Sequence, residues 1–170
     1  SDLGLAAVRP GSGAILAMYG GPDYVERQLN NATQGITQAG SSFKPFALIA
    51  ALEAGVSLET VWNGKSPQVF DDNGKPYEVA NYGKKSFKNL TLLEATEKSV
   101  NTVYVPLGIA VGPDKVIDAA RRAGIPAAVE MVPTPSVVLG VASPHVLDVA
   151  NAYATFAAQG IYAKPFLVVE

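Results

Sequence analysis

Two short constellations in this chain carry residue types that do chemistry. Ser41 and Lys44 stand three positions apart, just ahead of the apolar stretch 46–52. Positions three apart share one face of a helix, so the Lys44 amine is placed to reach the Ser41 hydroxyl. A serine hydroxyl is a poor nucleophile until a base takes its proton. An amine held in buried or cationic surroundings loses its own proton and serves as that base. A nucleophile at a helix start also gains from the positive end of the helix dipole and from unpaired backbone N–H groups. The second constellation is Ser99-Val100-Asn101. It offers a second hydroxyl to relay a proton, and an amide to hold a substrate carbonyl or the lysine. The chemistry these four residues suit together is attack by an activated serine hydroxyl. Each also has a plainer use: Ser41 as an N-cap, Lys44 as a surface lysine, Ser99 and Asn101 as cap and turn formers.

The remaining composition narrows the field. The 170 residues carry a net charge of −2, so there is no broad basic field for nucleic acid. The absence of cysteine removes disulfides, thiolate metal sites and a cysteine nucleophile. The single histidine, His145, rules out a multi-histidine metal centre and leaves one candidate base for a Ser-His-Asp triad. His145 follows Ser143-Pro144, where a capping or surface role is expected. Asp71-Asp72-Asn73 lacks the further spaced oxygen ligands of a calcium loop and reads as a turn. No metal or cofactor is expected. No apolar run approaches the roughly 20 residues of a membrane span, and the start is no signal peptide. The chain opens and closes in apolar sequence and is expected to be a piece of a longer protein.

The elements that must position the four residues are legible from spacing. Leu5–Val8 and Ala14–Tyr19 flank the turn cluster Arg9-Pro10-Gly11-Ser12-Gly13 and read as a hairpin. The stretch 46–52 is apolar on every face, which predicts a helix buried all round. Pro45 fits only in the first turn of that helix, which fixes its start close to Ser41, and Gly55 suits its end. Residues 56–89 are turn-rich and read as a surface excursion with one short hairpin. Thr91-Leu92-Leu93-Glu94 has the spacing of a capping box, opening a helix that runs towards Ser99. Asn101–Val111 reads as a helix disturbed by Pro106 and ended by Gly112. Pro113 and Gly124 bracket another, with Val116, Ile117 and Ala120 on one face. Ser143-Pro144 and Gly160 bound the last, with Leu147, Ala150, Ala154 and Ala157 as its apolar stripe. Residues 162–169 read as a strand that rejoins the first hairpin. The order predicts an α+β domain, a mostly antiparallel sheet with helices packed on it.

The segment Gly40-Ser41-Ser42-Phe43-Lys44-Pro45-Phe46 resembles the nucleophile region of penicillin-binding proteins, and of the bifunctional, high-molecular-weight (class A) kind in particular. Ser99-Val100-Asn101 resembles that family's Ser-x-Asn motif, one of the set shared with serine β-lactamases. The resemblance extends to the opening hairpin, Gly13-Ala14-Ile15-Leu16-Ala17-Met18-Tyr19-Gly20-Gly21-Pro22-Asp23-Tyr24, and to Asn30-Asn31-Ala32-Thr33-Gln34-Gly35 before the nucleophile. It reaches Leu139-Gly140 and Ala152-Tyr153-Ala154-Thr155-Phe156-Ala157 as well, so it covers nearly the whole chain.

The resemblance implies the penicillin-binding/serine β-lactamase-like fold, and a D,D-transpeptidase that cross-links peptidoglycan stem peptides through an acyl-Ser41 intermediate. β-Lactams would acylate the same serine. Lys44 takes the proton, Ser99 passes it towards the leaving group, and Asn101 holds the substrate amide. The Ser41 N–H forms half of the oxyanion hole. It further implies an extracytoplasmic site on the outer face of the bacterial cell membrane, reached through an anchor outside this chain. Ala39 stands where relatives often carry proline, and Thr37 where a basic residue is common. No Lys-Thr-Gly occurs anywhere. Residues 1–170 are therefore expected to be a partial transpeptidase domain that needs the rest of its domain as a partner. Two other outcomes stay open: a serine β-lactamase or D,D-carboxypeptidase, in which water takes the acyl group, and a non-catalytic penicillin-binding sensor or scaffold. The resemblance to the transpeptidases disfavours the first. The intact Ser41, Lys44, Ser99 and Asn101 set disfavours the second.

Overall fold

A computed structural model describes residues 3–23, 25 and 28–167. The chain forms two compact units. The first comprises residues 1–39, 120–130 and 142–170, the second 40–119 and 131–141.

In the first unit, β1 (Leu5–Val8) and β2 (Ala14–Tyr19) form the expected antiparallel hairpin, with Leu5 opposite Tyr19 and a bulge between Ala7 and Val8. The expected strand over 162–169 is shorter. Only β7, Phe166–Leu167, is extended, and residues 168–170 lie outside the described residues. β7 does rejoin the hairpin, on β2, but parallel to it, with Ala14 opposite Phe166. The chain returns at the Gly13 end of β2, where the Phe166 N–H donates to the Gly13 carbonyl at 3.0 Å. Entering there, it can only run in the same direction as β2.

The last helix, α5 (Val146–Ala157), packs on β1. His145 is its N-cap residue, and its backbone N–H donates to Asp148 Oδ2 at 2.9 Å. The buried face is Asn151, Ala152, Ala154 and Thr155 rather than the stripe expected from the sequence. Leu147 and Ala150 are only half-buried and Ala157 is exposed. Two of these four are polar, and the Thr155 hydroxyl finds a partner there. Thr155 Oγ1 donates to the Ala123 carbonyl at 2.8 Å.

The second unit holds the remaining helices. A 3-10 turn over Gly40–Phe43 leads directly into α1, Lys44–Glu53, with Pro45 in its first turn as predicted. Gly55 (φ 83°) ends it: the Gly55 N–H donates to Leu52 and the Val56 N–H to Ala51, the paired bonds of a Schellman cap. The helix is not buried all round. Phe46, Ala47, Ala50 and Ala51 form its inner face, whereas Leu52 is 46% exposed. An apolar sequence sets how much surface a helix can bury, and its neighbours decide which face does.

Residues 56–89 contain the expected hairpin, β4 (Gln68–Asp72) with β5 (Lys75–Val79), turning at Asn73 and Gly74. They also contain a pair the sequence did not announce, β3 (Val61–Asn63) with β6 (Asn89–Thr91). Three-residue strands are too short for an alternating pattern to register. The Thr91–Glu94 capping box opens α2, Leu92–Glu97. α3 spans Asn101–Val111 with Pro106 inside and Gly112 behind, and α4 spans Pro113–Ala123. α3 packs against α1 and against another 3-10 turn, Pro135–Leu139.

One close approach fixes the nucleophile turn. Gly140 (φ 69°) lies so near Gly40 that a Cβ there would meet the Gly40 carbonyl oxygen at 2.1 Å, and the Gly40 N–H donates to the Gly140 carbonyl at 3.0 Å. Gly140→Ala combines a left-handed backbone with a clash against main chain that has no side chain to move. It is expected to cost about 2–4 kcal/mol, read as a lower midpoint in denaturant unfolding.

Candidate active site

Ser41 sits at the exposed second position of the 3-10 turn, and Lys44 lies one turn on, only 4% exposed. Burying an ammonium is costly unless its protons find acceptors. Lys44 Nζ finds four: Ser41 Oγ at 3.1 Å, the Ser99 carbonyl at 2.7 Å, Ser99 Oγ at 2.9 Å and Asn101 Oδ1 at 2.7 Å. The Tyr104 ring lies 5.4 Å from the same nitrogen. All four acceptors are neutral, so they do little to offset the loss of water. Burial lowers the Lys44 pKa to about 8.

The four acceptors sort by kind. The Ser99 carbonyl and Asn101 Oδ1 can only accept, so they retain N–H bonds from a neutral amine. The Ser41 and Ser99 hydroxyls can also donate, so either can turn its proton towards the lone pair. The amine is thus held with its basic electrons facing the two hydroxyls.

The second motif reaches Lys44 through backbone geometry. α2 ends in another Schellman pair, Ser99 N–H to Thr96 and Val100 N–H to Ala95. The position after such an end is usually glycine, but here it is Ser99, with φ 53°. The left-handed residue turns both its carbonyl and its hydroxyl onto Lys44. Asn101, the first residue of α3, has its amide fixed from both ends. Its Oδ1 accepts from Lys44, and its Nδ2 donates to the Ala80 carbonyl at 2.9 Å. Ser41, Lys44, Ser99 and Asn101 are therefore all brought together. His145 Nδ1 lies 3.1 Å from the Gly35 carbonyl. Asp71 and Asp72 close the β4–β5 turn, where Asp71 Oδ2 accepts from the Gly74 N–H.

Sequence reasoning passed over Asn81. It is 5% exposed, and its Oδ1 accepts from the Thr102 N–H at 3.0 Å and from Thr102 Oγ1 at 3.2 Å. Its Nδ2 donates to the Lys85 carbonyl at 3.0 Å. Asn81 thus locks the segment carrying the Ala80 carbonyl onto the start of α3, beside Asn101. Its isolation in a turn-rich stretch gave no periodic signal. The cleft of about 320 Å³ at this site is lined by Ser41, Asn81, Tyr82, Lys85, Phe87, Lys98, Ser99, Val100 and Asn101. No group of three or more metal-ligating side chains occurs among the described residues.

A buried lysine between two serine hydroxyls at a helix entrance defines the serine acyl-transfer class of site. The chain matches the family described as the penicillin binding protein transpeptidase domain over residues 4–135. It belongs to that family. It is 35% identical to penicillin-binding protein 1A of Mycobacterium tuberculosis, over 96% of this chain and 21% of that protein. Among solved structures it resembles penicillin-binding protein 1A of Haemophilus influenzae, with a TM-score of 0.88 and 30% identity over 97% of this chain and 25% of that one. It also resembles PonA1 of M. tuberculosis in complex with penicillin V, with a TM-score of 0.82 and 34% identity over 95% of this chain and 45% of that one. The chain thus spans about a fifth of the length of the curated relatives. The mixed α/β architecture expected from the sequence agrees with these structures.

Proposed function

We propose that this chain carries the acyl-transfer centre of a peptidoglycan D,D-transpeptidase, and that β-lactams acylate it at the same serine. The observation that carries the reading is the buried Lys44 amine, 3.1 Å from Ser41 Oγ and 2.9 Å from Ser99 Oγ. Ser41 Oγ attacks the carbonyl between the two terminal D-alanines of a stem peptide while its proton moves to Lys44 Nζ. The oxyanion is met by the Ser41 N–H, which lies in a first turn where such groups have no intrahelical partner. Ser99 Oγ passes the proton to the departing nitrogen, and D-alanine leaves. An amine on a second stem peptide attacks the Ser41 ester, gives up a proton to the same relay and frees the serine. Asn101 has one Nδ2 hydrogen on Ala80, which leaves the other to hold the donor's amide carbonyl. No Lys-Thr-Gly is present. In this reading the group that binds the substrate's terminal carboxylate comes from the remaining part of the same domain. The reaction takes place on the outer face of the cell membrane, with the anchor outside this chain.

Proton acceptance requires neutral Lys44, whose fraction grows as pH rises through about 8. The rate of Ser41 acylation by a penicillin is expected to climb about tenfold per pH unit below that value and to level off above it. A flat profile from pH 6 to 9 would remove Lys44 as the base. Supplying an amine acceptor should divert a peptide acyl group into cross-linked product. Hydrolysis alone, unchanged by the acceptor, would mark a carboxypeptidase or β-lactamase instead.

A further inference from the structure

Part of the cleft lining comes from a loop, residues 82–87, that the acyl-transfer chemistry leaves without a task. Tyr82 is 94% exposed although it lines the cleft, and Phe87 beside it is half-buried. Lys85 and Lys98 are the basic side chains in the lining, and no Asp or Glu belongs to it. Lys98 is partly compensated by Glu97 at 3.2 Å. Lys85 has no ion pair among the described residues.

The loop is held firmly even though its side chains are exposed. The Lys85 carbonyl accepts from buried Asn81 Nδ2, and the Lys84 N–H donates to the Asn81 carbonyl at 3.1 Å. The Phe87 N–H donates to the Gly64 carbonyl at 3.0 Å, and Ser86 Oγ accepts from the Ser66 N–H at 3.1 Å. A cation and two aromatic rings on an anchored backbone cost little further ordering when a ligand arrives. Rings left exposed in a cleft gain by being covered.

We propose that Lys85, with Tyr82 and Phe87, forms a subsite for a free carboxylate on the acyl-donor substrate, separate from the carboxylate at its reacting end. This rests on the acyl-transfer reading above and adds a substrate preference to it. Donors with an acidic group on the part lying against this wall acylate Ser41 faster than donors with that group amidated or esterified. The gain is the modest one of a solvent-facing ion pair, up to about five-fold in rate. It fades as salt approaches about 1 M, where screening acts within about 3 Å.

The test compares acylation rates for two penicillins that differ only in a side-chain carboxylate, free in one and a methyl ester in the other. Lys85→Gln should erase the preference and Lys85→Glu should reverse it, read as the ratio of the two rates within each variant. Lys75→Glu, on the distant β4–β5 turn, should leave the ratio alone. A ratio that Lys85→Glu does not move, or that Lys75→Glu moves equally, overturns the subsite while leaving the acyl-transfer reading standing. Acylation by neither penicillin overturns that reading and the subsite with it.

Discussion

Ser41→Ala is expected to abolish covalent capture of penicillin. Intact-protein mass should show a stable adduct on the unchanged chain and none on the variant. The effect should be all-or-none because, among the described residues, Ser41 is the exposed hydroxyl bonded to Lys44 at the helix entrance. The chain has no cysteine. The other hydroxyl near the base, Ser99, is held with φ 53°, its oxygen turned onto Lys44. Ser41 is exposed and, among the described residues, its hydroxyl bonds to the end of Lys44, so the loss of its oxygen should leave the fold intact. Surface changes of this kind usually shift stability by no more than about 0.5 kcal/mol. An adduct persisting on the alanine variant at the same rate would place the nucleophile elsewhere and end the reading.

Lys44→Arg is expected to slow acylation by about 10²–10⁴-fold, the range associated with a positioned base. Arginine keeps a cation and its donors but does not surrender a proton in a protein. The small remaining rate should lose its rise through pH 8, because the titrating group has gone. Guanidinium is bulkier than ammonium in a site only 4% exposed, so Lys44→Met serves as a second variant of nearly the same length. It removes the buried charge but leaves the Ser99 carbonyl and Asn101 Oδ1 without their donor. That costs about 1–3 kcal/mol and shows in the unfolding midpoint. If both variants fold and acylate as fast as the unchanged chain, Lys44 is a structural cation and the proton goes elsewhere. If both slow while the midpoint of one stays put, the loss belongs to chemistry rather than folding.

The four site residues were legible because their signals are local. Ser41 and Lys44 are joined by one helical turn, and Pro45 allows that turn to start in only one place. The capping box at Thr91 and Glu94 and the glycines after α1 and α3 fixed those helix boundaries for the same reason: each is a contact between neighbours in the chain. A resemblance carried by the two motifs then told more than periodicity could.

What the sequence did not reveal depends on contacts between distant residues. The face of α1 that is buried was hidden because every face is apolar, and α3, packing against it, decides. On α5, the buried face keeps Ala154 of the expected stripe but also takes Thr155, whose hydroxyl is partnered by the Ala123 carbonyl. The parallel direction of β7 follows from where the chain returns to β2. Asn81 is a residue in a turn until Thr102 is brought beside it. The sequence by itself determined which groups are available for chemistry and which helices carry them. Only the tertiary structure decided that Lys44 is dry enough to titrate near pH 8, because desolvation comes from everything packed around a group and is not set by its own four-residue motif.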